Sequence, residues 1–129
     1  MYFLITLLLA GVFLLYGTAK IAGWQFHPIE TDKRVHELKP IQLMWYFFGY
    51  SPIYAKFIGT TQVIVALLLF PKKTRTISLL IYFIITINIL VLNIAFKITA
   101  QTFTMSCILA FLCLMLLIRD RNRIKALLN

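Results

Sequence analysis

Four apolar stretches joined by short polar connections leave this chain one solvent to fold in. They cover residues 2–22, 53–70, 77–96 and 101–118, each close to the ~17–25 residues a helix needs to cross a bilayer core. Backbone inside hydrocarbon must satisfy its own hydrogen bonds, which favours helix even where a span is as rich in Ile as the third. The expected fold is therefore an all-α membrane protein: a four-transmembrane-helix antiparallel bundle forming a single membrane domain over residues 1–129. Apolar residues make up 61% of the sequence, well above the ~45–50% of soluble domains. What lies outside the spans is too short for a separate catalytic domain, so any activity must lie between helices or in the long connection 23–52.

The net charge of +9 is punctuated by apolar spans instead of forming one basic face, which argues against a nucleic-acid partner. Its placement sets orientation. Lys72, Lys73 and Arg75 fill the connection between the second and third spans, and Arg119, Arg121, Arg123 and Lys125 follow the fourth in a basic tail, 119–129. Lys and Arg in short loops stay on the cytoplasmic side, so both termini are expected there and the loop 23–52 outside. From Gln25 to Lys39 that loop balances Glu30, Asp32 and Glu37 against Lys33, Arg34 and Lys39 and does not contest this topology. No basic segment precedes the first span, which is expected to remain as a membrane helix rather than be cleaved as a signal peptide.

Trp24 closes the first span as an interfacial anchor, and Gly17 and Gly23 allow close helix approach. His27-Pro28 is expected to break the helix, with residues 25–40 a loop holding at most a short turn. Residues 41–50 are too short to span and unusually aromatic. Trp45, Tyr46 and Tyr50 combine apolar bodies with polar tips, so this segment is expected to lie in the interface as a surface or re-entrant helix before the second span. Ser51-Pro52 then supplies an N-cap and a first-turn proline.

Polar residues in the spans are the main functional clue. Lys20 closes span one; Lys56, Thr60, Thr61 and Gln62 open span two; Asn93 and Lys97 close span three, all in the outer half, with Asn88 near the middle. Helical spacing puts Lys56, Gly59, Thr60 and Val63 on one face and Thr86, Asn93 and Lys97 on another. An outward-opening polar cavity is expected, with Lys20, Lys56, Thr60, Gln62, Asn93 and Lys97 binding the head of a quinone, a lipid or another amphiphile. The competing account has each lysine snorkelling to water or lipid phosphate and the asparagines joining helices.

Other chemistries find little support. His27 and His36 stand nine residues apart across a proline, unlike helical metal-ligand pairs, and no metal is expected. Cys107 and Cys113 are ~9 Å apart along a helix and on different faces, so no disulfide centre is expected. No carboxylate lies within a span, which disfavours a proton pump.

The run from Leu43 to Tyr54 (Leu-Met-Trp-Tyr-Phe-Phe-Gly-Tyr-Ser-Pro-Ile-Tyr), then Phe57-Ile58-Gly59, resembles a Trp-x-Phe-x-Gly-Tyr-Ser segment of the DoxX-like family of small bacterial membrane proteins. Leu67 to Phe70 before the basic turn Lys72 to Thr76, and the pair Leu92-Asn93, also fit, so the resemblance covers roughly residues 12–118. It implies a four-helix bundle in the bacterial cytoplasmic membrane, an accessory or oxidoreductase-subunit role in a membrane redox process, and a membrane or redox protein as partner. A non-enzymatic chaperone or assembly module without a small ligand is the alternative it offers, and oligomers are compatible with either. Gln62 and Lys97 replace residues that are commonly acidic in that branch, so a lysine–carboxylate arrangement with Lys20 is not available here.

Overall fold

The computed structural model describes residues 1–26 and 32–128 and is helical, with no strand among them. Its elements are α1 (Tyr2–Ile21), a 3₁₀ turn at Val35–Glu37, α2 (Pro40–Tyr50), α3 (Pro52–Leu68), α4 (Arg75–Ala95), α5 (Ala100–Arg119) and α6 (Arg121–Leu128). Three of these, α1, α4 and α5, are long and apolar enough to cross a membrane. The α2–α3 pair reaches that standard only as a unit bent by 91°. His27, Glu30 and the break expected at His27-Pro28 lie outside the described residues.

Local chemistry sets the ends of these elements. Pro40 and Pro52 occupy first-turn positions, where the missing N–H costs nothing. Ser51 sits at the elbow between α2 and α3, and its hydroxyl accepts from the Tyr54 amide at 3.3 Å. Thr99 caps α5 in the same way, accepting from the Thr102 amide at 3.3 Å. At the far end of α3 the helix stops at Leu68, two residues short of the apolar stretch. There the Thr74 hydroxyl donates to the Leu68 carbonyl at 2.8 Å, and the Arg75 guanidinium donates to the carbonyls of Leu69 and Phe70, both at 3.0 Å. Those carbonyls lack partners within the helix, so the tight α3–α4 turn is held by side chains that begin the next helix.

The helices pack as two close pairs, α1 with α3 and α4 with α5, with sparser contact between the pairs. Gly17 and Gly59 face each other where α1 crosses α3. A Cβ on Gly59 would lie 2.6 Å from the Gly17 carbonyl oxygen, and one on Gly17 would lie 2.8 Å from that of Gly59. Small residues permit this approach, as is general where lipid supplies no hydrophobic drive between helices.

At the end that carries both termini and the α3–α4 turn, here the base, the pairs are knitted together. Phe13 stacks on Tyr82 with centroids 3.6 Å apart, and the Tyr82 hydroxyl donates to the Leu9 carbonyl at 3.2 Å. Ser78 donates to the Val65 carbonyl at 2.6 Å, and the Cys113 thiol to the Leu79 carbonyl at 3.3 Å. Leu9, Leu69, Leu79 and Leu116 complete this core. Beneath it, Asp120 accepts from the hydroxyls of Tyr2 at 3.1 Å and Thr76 at 3.3 Å, while the Arg75 and Arg119 guanidinium groups flank the Tyr2 ring. Outside the core the surface is apolar: Phe3, Ile53, Phe57, Ile84, Phe111 and Ile118 are all largely exposed, a surface suited to lipid.

Candidate functional site

Toward the opposite end, the crown, the two helix pairs part and enclose a cavity of about 470 Å³. That lies within the ~300–1,000 Å³ usual for small-molecule sites. Phe13 and Leu109 line its base side, next to the sealed core, and Ile84, Ile85, Ile89 and Leu92 of α4 form one wall. Met44, Trp45 and Phe48 of α2 and Phe26 contribute an aromatic roof, with Phe26 stacked on Phe48 at 5.0 Å and tilted against Trp45 at 5.3 Å. The sharp α2–α3 elbow brings that roof over the cavity.

Each helix pair presents a buried polar cluster to this largely apolar space, Lys20 with Gln62 and Asn93 with Ser106, and Thr61 and Asn88 also line it. On the α1–α3 side, Lys20 is only 7% exposed although it belongs to the last turn of its helix. Its Nζ donates to Gln62 Oε1 at 3.0 Å and approaches the Tyr16 carbonyl at 3.5 Å, above the Tyr16 and Phe26 rings at 5.5 and 5.8 Å. On the α4–α5 side, Asn93 is 5% exposed. Its amide nitrogen donates to the Ile89 carbonyl at 2.9 Å and to Ser106 Oγ at 3.0 Å, and Ser106 donates onward to the Thr102 carbonyl at 2.8 Å. The Ile89 carbonyl fixes which end of the amide is nitrogen, since an oxygen there would face another acceptor. Asn93 Oδ1 is consequently buried without a protein donor, as is Gln25 Oε1. Both residues line the cavity. Buried polar atoms without partners are rare in folded proteins.

Chemically, the cleft offers, among the described residues, one cation, two unsatisfied acceptors and a largely apolar enclosure. It can hold a molecule with a polar head and an apolar body, with Lys20 donating to the head and Asn93 accepting from it. Among the described residues no three of His, Cys, Asp and Glu gather into a group able to hold a metal ion.

The chain is similar to the uncharacterized protein YwoB of Bacillus subtilis, with 36% identity over 117 residues that cover 91% of this chain and 75% of that protein. The chain belongs to the YwoB family. No family model matches it, and no solved structure does.

In this YwoB-family chain, three of the six ligand-binding residues expected from sequence, Lys20, Gln62 and Asn93, meet around the cavity. Lys56, Thr60 and Lys97 do not: all three are exposed and none lines it. The buried stripe of α3 runs through Ala55, Gly59, Gln62 and Ala66, because Gly59 must face Gly17. Lys56 and Thr60 each follow a stripe residue by one position, a turn of ~100° that points them elsewhere. Lys97 lies beyond the end of α4 with φ at +48°, so the register it would share with Thr86 and Asn93 no longer applies. Of the aromatic residues, Trp45 lines the cavity, Tyr46 is half-buried, and Trp24 and Tyr50 are 75% and 77% exposed. Sequence reasoning passed over Ser106, Thr102 and Gln25. Thr102 and Ser106 carry the helical i, i+4 spacing that would mark a shared polar face of α5, but Ser and Thr are common in membrane helices and signal little alone.

Proposed function

We propose that this chain is a four-span protein of the bacterial cytoplasmic membrane that binds a membrane amphiphile, a quinone or a lipid, in the cleft between its helix pairs. In this reading the α2–α3 unit supplies the fourth crossing, with α2 in the interface. The termini and the base face the cytoplasm and the crown faces outward, as the basic residues at 72–75 and 119–125 favour. The observation that carries the proposal is the pairing of a buried lysine with a buried, partnerless asparagine oxygen across one apolar cavity. A protein using these groups only to join helices would not need the space between them. The DoxX-like likeness of residues 43–54 adds an accessory role beside a membrane redox partner.

The test is mass spectrometry of the protein drawn with its surrounding native membrane into nanodiscs. A quinone or lipid should be retained near one per chain and lost from the Lys20→Leu/Asn93→Leu double variant. Retention unchanged in that variant rejects the cavity as the site. A reproducible protein companion without any small molecule assigns the chain to assembly or chaperone work.

A further inference from the structure

The cleft's own groups narrow the head it would hold. Lys20, Lys56 and Lys97 all stand toward the crown, and two of them behave as lysines near a helix end do, leaving their ammonium groups exposed. Lys20 turns inward. Its protein partners in the cleft are neutral oxygens, those of Gln62 and Tyr16, and among the described residues no carboxylate lines the cavity. A buried cation answered only by neutral dipoles is costly, and an anion completes it. The two partnerless acceptors, Asn93 Oδ1 and Gln25 Oε1, call for the opposite kind of group, an O–H or N–H donor.

Depth and access point to the bilayer as the source. Lys20 stands eighteen residues along α1 from Tyr2, a rise of ~27 Å, against a hydrocarbon core of ~30 Å. With the Tyr2–Arg75–Arg119 cluster at one interface, Lys20 falls just inside the far edge of the core, its ammonium turned back toward the Tyr16 carbonyl, within reach of a lipid head drawn into the cleft. The helices α3 and α4 are fastened near their shared turn by the Ser78–Val65 bond, and toward the crown both line the cleft. Phe57 of α3 and Ile84 of α4 line it too, yet are 66% and 68% exposed, as the lips of a side opening toward lipid would be.

Resting on the amphiphile reading above, we infer that the cleft selects a lipid whose head joins a single negative charge to a hydroxyl: an anionic phosphodiester with a polyol. The phosphate oxygen accepts from Lys20, the hydroxyl donates to Asn93 Oδ1 or Gln25 Oε1, and the acyl chains leave between Phe57 and Ile84. A neutral quinone leaves the cation unanswered, and a zwitterionic choline head brings no donor to the acceptors.

The experiment reconstitutes the full chain in nanodiscs of phosphatidylcholine and phosphatidylglycerol in equal parts, then counts retained lipids by native mass spectrometry. One phosphatidylglycerol per chain is expected, with a preference over phosphatidylcholine of roughly tenfold or more, as one hydrogen bond to an otherwise unsatisfied buried acceptor supplies. Asn93→Leu/Gln25→Leu, which removes both acceptors, should erase the preference and Lys20→Met should lower retention of both lipids, whereas Lys20→Arg, which keeps the charge, and Lys56→Met, on the exposed face, should leave both unchanged. Circular dichroism of each variant reports whether the helices survive. Equal retention of both lipids overturns the anionic head but leaves amphiphile binding standing; retention of neither removes both. Displacement of the bound lipid by millimolar glycerol phosphate makes the site one for a water-borne anion and overturns the lipid assignment.

Discussion

Gly59 determines how close α1 and α3 come, and through that where Lys20 points. A methyl group at this position would press on the Gly17 carbonyl at 2.6 Å and the Lys20 Cβ at 2.9 Å, and backbone cannot move aside as a flexible side chain can. Gly59→Ala should therefore destabilise the fold by ~1–3 kcal/mol, the usual cost of overpacking, and weaken the Lys20–Gln62 bond. Gly11→Ala is the comparison, because nothing lies within 4 Å of its added carbon. Reversible unfolding of both variants in bicelles should separate them clearly. Phe13→Ala, which removes one ring of the stack beneath the cleft, should cost ~3–5 kcal/mol in the same assay. At this scale the sequence was partly legible. Lys20, Gln62 and Asn93 stand out because polar side chains in a span demand an explanation. Whether such a residue faces a neighbour or lipid depends on the rotation of each helix, and for α3 that is decided by a contact with Gly17, 42 positions away along the chain.

The elements themselves were easier to read. Apolar runs of span length, the two prolines and Ser51 leave little freedom in where the helices begin, and the aromatic segment 40–50 is a helix of its own. Its steep angle to α3 and its place over the cleft could not be read, since tertiary contacts such as Phe26 on Phe48 set them. The elbow depends on the Ser51 cap. Ser51→Ala should cost ~1 kcal/mol and speed amide hydrogen exchange in the first turn of α3, around Tyr54 to Phe57, while the exchange of α4 stays unchanged. Equal acceleration in both helices would mean the loss is global and the cap is not local to the elbow.

For the whole molecule, the proposed orientation predicts labelling from one side only. In a background of Cys107→Ser and Cys113→Ala, Lys39→Cys should react with a membrane-impermeant maleimide added outside cells. Arg121→Cys should react only after lysis. Reaction of both from outside would reject the four-span topology, since an odd number of crossings puts these positions on different terms. The base, sealed by the Phe13–Tyr82 stack and the bonds to Asp120, makes the cleft a cul-de-sac. In the proposed reading, a bound guest leaves by the way it came. In that reading the working variable is dwell time: the fraction of chains occupied at any moment would follow the abundance of the guest in the single leaflet that the proposed side opening faces.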